Sequence, residues 1–134
     1  MPRDGERPAA NAVPARRALG DFGERVAAAH LEAKGYRMLA TNFRVREGEV
    51  DIVAQRGDLV VFVEVKTRRG DALGSAAEAI DARKALRLVT VAEAFGQQHP
   101  ELPPERRIDL IAIDLDAAGR VLSLQHIENA VEGM

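Results

Sequence analysis

Cysteine is absent from this chain, which excludes disulfides and thiolate metal sites but decides little about compartment. Aromatic residues make up only 4% and do not cluster, which argues against a platform that stacks single-stranded bases. No apolar run approaches the roughly 18 residues of a membrane helix. Met1 to Arg17 carries arginines with no apolar stretch behind them, so it is not read as a secretory signal, and the cytoplasm is the expected compartment. His30, His99 and His126 share no metal-ligand spacing and read as surface or structural residues. Ser75 and Ser123 lack a nucleophile-elbow context, and no phosphate-cradling P-loop is present. Positive charge is short as well: the net charge of −2 does not favour a nucleic-acid binder. Its distribution is more informative, because basic residues gather at Arg44 and Arg46, at Lys66, Arg68 and Arg69, and at Arg83, Lys84 and Arg87. Lysine is scarce, with 16 of the 19 basic residues being Arg and only Lys34, Lys66 and Lys84 being Lys. Such a chain keeps Lys where a compact, rotatable ammonium serves better than a planar fork. Lys34, beside a helix stop at Gly35, fits a role complementing the helix dipole.

What is present points to one domain. A chain of 134 residues with 46% apolar content builds a single core. Residues 1–18, rich in Pro, Ala and Arg without periodicity, read as a disordered N-terminal tail, leaving 19–134 as the domain. A helix is expected from about Gly20 to Lys34, with Phe22, Val26, Ala29 and Ala33 as its apolar stripe. Glu24 falls on a third side with Ala27, Ala28 and Leu31, either as a first-turn acid favouring the dipole or as a site residue. Strands are expected at 36–43, 49–55, 59–67, 107–114 and 121–126, with a loop at Gly70 to Gly74. A second helix capped by Asp81 runs to about Gln97, with Ala85, Leu88, Val89, Ala92 and Phe95 facing the core. The order α-β-β-β-α-β-β describes an α/β protein with a central mixed sheet flanked by helices.

Two of these strands carry charge where burial is expected. Glu49-Val50-Asp51-Ile52-Val53-Ala54 and Leu59-Val60-Val61-Phe62-Val63-Glu64-Val65-Lys66 are separated by a turn-like stretch and read as a hairpin. With Gly57-Asp58 as a two-residue loop, opposing residue numbers sum to 115, which sets Asp51 against Glu64 and Glu49 against Lys66 on one face. At a separation of about 5 Å and an effective dielectric of about 20, two carboxylates repel by roughly 3 kcal/mol. A positive partner is therefore expected, and a divalent cation with oxygen ligands fits, since Mg²⁺ takes one or two carboxylates plus substrate phosphate. The alternative is an exposed edge strand with an ordinary Glu–Lys alternation. Arg68 has the strand parity of Glu64 and Lys66 and so reaches toward a neighbouring phosphate. Lys84 adds charge near a helix N-terminus, itself an anion site. Both also read as plain solvated basic residues.

The arrangement of an acid on the first helix, Asp on the second strand and Glu-x-Lys on the third resembles the PD-(D/E)XK nuclease superfamily. Its Holliday-junction-resolvase-like branch is nearest, and more narrowly the chain resembles the YraN-like family of endonuclease-like bacterial proteins. The matching segments are Gly23-Glu24-Arg25-Val26-Ala27, Gly35-Tyr36, Asn42-Phe43-Arg44, Gly48-Glu49-Val50-Asp51-Ile52-Val53 and Val61-Phe62-Val63-Glu64-Val65-Lys66-Thr67-Arg68, with Lys84 and Arg107-Ile108-Asp109 extending them. Val50 stands where the superfamily's named proline would be. The resemblance implies a restriction-endonuclease-like core and a Mg²⁺- or Mn²⁺-dependent DNA endonuclease. Asp51, Glu64 and the Val65 carbonyl would hold the metal, Glu24 would join directly or through water, and Lys66 would orient the attacking water. Glu49 is a second ligand or the partner of Lys66. Arg44, Arg46, Arg68, Arg69 and Lys84 would meet DNA, recognised by backbone and shape. Branched DNA as substrate and a homodimer as the working form follow from the resolvase likeness alone. A non-catalytic interaction module keeping the fold is the other reading.

Overall fold

The computed structural model describes residues 15–70 and 79–131. Helix α1 spans Ala15–Ala33, strand β1 Arg37–Val45, β2 Gly48–Arg56, β3 Leu59–Arg69, helix α2 Ala82–Gln98, β4 Glu105–Leu115 and β5 Val121–Ile127. The sheet runs in the order β1-β2-β3-β4-β5. Only β3 and β4 are parallel, joined across one face through α2, and every other pair is antiparallel. The expected order of elements is the observed one.

Local chemistry explains the boundaries. The Gly57-Asp58 hairpin closes on Arg56↔Leu59 and keeps that register to Ile52↔Val63. Gly57 supplies the positive φ of 59° that the first position of such a turn requires. Helix α1 stops at Gly35, with φ of 91°, where the Tyr36 N–H donates to the Leu31 carbonyl and the Gly35 N–H to that of Glu32. Asp81 caps α2 by accepting from the Lys84 N–H at 2.8 Å.

Two expectations about α1 need correction. The helix begins at Ala15, so residues 15–18 are helical and not the end of a tail. Ala15, Arg16, Arg17 and Ala18 are strong helix formers directly after Pro14, and propensity carries the helix back to them. Residues 1–14 lie outside those described, as does the stretch 71–78 that holds most of the expected Gly70–Gly74 loop. The buried stripe is also not the expected one: Gly23, Ala27 and Leu31 face the sheet, while Ala29 and Ala33 are exposed. Gly23 decides the rotation. A Cβ there would sit 2.9 Å from the Thr67 Cβ on β3, so only a glycine lets the helix approach this closely.

Helix α1 covers one face, packing Ala27 and Leu31, with Tyr36 just beyond its end, on Ile52, Val61, Val63, Ile111 and Ile113. Helix α2 covers the other, setting Leu88, Val91, Ala92 and Phe95 against Val53, Val60, Phe62 and Ile108. Burial on both faces is why β3 and β4 read as nearly continuous apolar runs. Among the described residues, no helix is long and apolar enough to cross a membrane.

Candidate active site where β2 leaves β3

The hairpin ladder stops at Ile52↔Val63, one residue short of the carboxylates. Ile52 packs on the α1 side, whereas Val50 and Val53 both pack on the α2 side. Residues three apart cannot share a face of a regular strand, so β2 is kinked at Asp51. Strand β1 bends with it: Ala40 and Phe43 both lean to the α2 side, and Asn42 between them has φ of 52°. Asp51 therefore does not stand across from Glu64 on a flat face, as the register alone suggests. It turns into the gap between the strands, where its Oδ2 accepts the Val65 N–H at 2.8 Å, the donor a continuing ladder would have used.

The gap opens into a polar cleft of about 300 Å³ lined by Glu24, Asp51, Glu64, Lys66, Thr67 and Lys84, together with the N-terminal part of α1. Both helices reach it because the sheet has parted there. Desolvation, reinforced by Glu64, pushes the Asp51 carboxyl up to about 7, against one lowering influence from the Val65 N–H. Desolvation also raises Glu24, opposed by hydrogen bonds to Asn42 and Asp51. Asn42 Nδ2 donates to Glu24 Oε1 at 3.2 Å. Glu64 is only 8% exposed, and its counter-charge is already there: Lys84 Nζ lies 2.5 Å from Glu64 Oε2. Lys66, two residues along β3, is exposed at the cleft and makes no ion pair among the described residues.

Among the described residues, no three His, Asp or Glu side chains come together as a metal-holding group. The cleft offers instead two carboxylates, Asp51 and Glu64, beside a third on α1, with no sulfur or imidazole donor. That all-oxygen set suits a hard ion that keeps several waters, such as Mg²⁺, and does not suit Zn²⁺.

Residues 23–113 match the uncharacterised protein family UPF0102. The chain belongs to that family. Similar members include one from Frankia casuarinae, 46% identical over 87% of this chain and 98% of that protein. Another from Roseiflexus castenholzii is 45% identical over 87% and 95%, and one from Pelotomaculum thermopropionicum is 44% identical over 87% and 97%. Among solved structures, Pyrococcus furiosus SfsA in complex with Ca²⁺ is similar with a TM-score of 0.40 and 15% identity, over 84% of this chain and 63% of that one. At that score the likeness bears on neither fold nor chemistry.

The segment that carries the UPF0102 match includes Glu24, Asp51, Glu64, Lys66 and Lys84. Other expected site residues lie differently. Glu49 pairs with Arg44 at 3.0 Å across β1 and β2, not with Lys66, because cross-strand neighbours meet first where β2 has left β3. Arg68 pairs with the neighbouring strand: its Nε lies 2.9 Å from Asp114 Oδ1 on β4. Arg69 runs toward the β4–β5 turn, with Nη2 near Gly119, and Arg46 is exposed in the β1–β2 turn. Asn42 went unassigned in the sequence, although an Asn within a strand signals a left-handed residue.

A second polar cluster was also hidden. Asp109, fully buried, accepts from Arg107 Nε at 2.8 Å and from the Asn129 N–H at 3.0 Å, and lies 2.8 Å from His126 Nε2. Burial would raise its carboxyl, but the hydrogen bonds from His126 and Arg107 hold it below the usual range. His126 Nδ1 in turn lies 3.2 Å from His30 Nε2, so two of the scattered histidines meet and serve the fold.

Proposed function

We propose that this protein is a Mg²⁺- or Mn²⁺-dependent endonuclease of the PD-(D/E)XK kind that hydrolyses DNA phosphodiester bonds. One observation carries the reading: Asp51, Glu64 and Lys66 line a single open cleft at the split in the sheet, joined there by Glu24 from α1. In this reading Asp51, Glu64 and the Val65 carbonyl hold the ion, and Glu24 acts on Asp51 or through water. Bound there, a divalent ion polarises the phosphoryl oxygen and offsets developing negative charge. The Lys66 ammonium, exposed and without an ion-pair partner among the described residues, reaches the attacking water and the phosphoryl oxygen and orients them. Arg46 and Arg69 supply backbone contacts, and branched DNA is the favoured substrate. Cleavage assays on linear, flapped and four-way DNA with Mg²⁺, Mn²⁺ or chelator test the reading. Uncut DNA across the whole panel would sink it. A homodimer follows from the need for two sites to make paired nicks, and sedimentation showing only monomer, alone and on junction DNA, would remove that part.

A second reading is favoured by the Glu64–Lys84 pair, which satisfies a would-be metal ligand without any ion. On it, the protein is a non-catalytic DNA or protein interaction module. Calorimetric titration with Mg²⁺ separates the two, since a module has no use for metal.

A further inference from the structure

We propose that Lys84 is a built-in stand-in for the metal: its ammonium holds Glu64 in the metal-free protein and leaves it when a divalent ion enters. This rests on the nuclease reading of the cleft. Glu64 is 8% exposed, and a carboxylate that buried is costly without a counter-charge. Lys66 is close along the same strand, yet the partner comes from α2 on the far side of the chain, at 2.5 Å. The backbone at Lys84 is anchored, because its own N–H is the one Asp81 caps at 2.8 Å. Its side chain is 37% exposed, so the ammonium has a way out to solvent along a flexible four-carbon stem. A single positive charge is thus replaced by a double one, and the released ammonium stays at the cleft, free to meet a phosphate. Lys84 acts here as a positioning residue that sets how readily the site takes up its ion.

Calorimetric titration of the full chain with MnCl₂ compares wild type with Lys84→Met and Lys84→Gln. Both variants are expected to bind Mn²⁺ at least about threefold more tightly, as loss of one partly exposed ion pair allows. They should also gain more in Tm on adding the ion. In labelled wild type, the Lys84 side-chain NMR signal should move as Mg²⁺ is added. Wild type that binds the ion while both variants bind it equally or more weakly overturns the inference and leaves the nuclease reading standing. So does a Lys84 signal that stays put while Mg²⁺ binds. Uptake by none of the three proteins overturns both.

Discussion

Replacing Asp51 by Asn in the metal-free protein should raise its stability, and the gain should depend on pH in a defined way. The Asp51 carboxyl is pushed from its ordinary 3.8 to about 7, first by desolvation and then by Glu64. An acid whose pKa is raised by folding binds its proton more tightly in the native state. Its contribution is therefore complete below about pH 4 and is lost as pH climbs through 7. Three units correspond to about 4 kcal/mol at most. The cleft is open to solvent, so about 2 kcal/mol is the working expectation. Asn keeps an oxygen that can accept the Val65 N–H and nearly the same volume, while the charge is lost and the second oxygen becomes an amide donor. Urea denaturation in chelator, run on both proteins from pH 4 to pH 8.5, reads the difference, because titrating groups outside the cleft cancel and the remainder belongs to Asp51 and the carboxylates coupled to it. The curves should coincide near pH 4 and separate by about 2 kcal/mol above pH 7, with Asp51→Asn the more stable. A variant less stable at pH 8.5, or a gap that does not grow with pH, would refute the placement of Asp51 in a desolvated, carboxylate-crowded gap.

Glu64→Gln should act in the opposite direction. Two facing carboxylates suggest relief from neutralising either one, but Lys84 already compensates Glu64, so metal-free stability should fall by about 1 kcal/mol; stabilisation equal to that of Asp51→Asn would contradict this. Lys66→Ala and Lys66→Arg should each cost ~10²–10³ in DNA cleavage rate while leaving Mg²⁺ affinity by calorimetry nearly unchanged. Near-normal turnover in Lys66→Arg would reduce Lys66 to a general attractor of DNA. Gly23→Ala should lower stability by about 1–3 kcal/mol, since its Cβ would meet the Thr67 side chain; an unchanged Tm would show that α1 yields easily. Asp109→Asn removes the charge of a fully buried carboxylate whose partner Arg107 is partly exposed and should cost about 3 kcal/mol in urea denaturation with metal affinity intact, and a far smaller loss would count against the cluster's role in the fold.

The strands, the hairpin register and both helix caps were legible because each depends on neighbours a few residues away. Gly57 needs a positive φ, Gly35 ends a helix, and Asp81 caps the N–H of Lys84, whatever the rest of the chain does. The nearness of Asp51, Glu64 and Lys66 is legible for the same reason, since one two-residue turn joins their strands. The rotation of α1 was not legible. Alanine-rich and nearly featureless around its circumference, the helix offers two plausible stripes, and only close packing of Gly23 on Thr67 chooses between them. Nor does a register show where a ladder ends: Val50 and Val53 share one core only because β2 is kinked between them, which turns Asp51 inward. Lys84 reaches Glu64, and His126 reaches both His30 and Asp109, across chain separations that no local pattern spans. Local sequence therefore determined the elements and the strand-borne acids, because turn and cap chemistry act over a few bonds. Tertiary structure decided which charge answers which, because that depends on where two helices settle on opposite faces of one sheet.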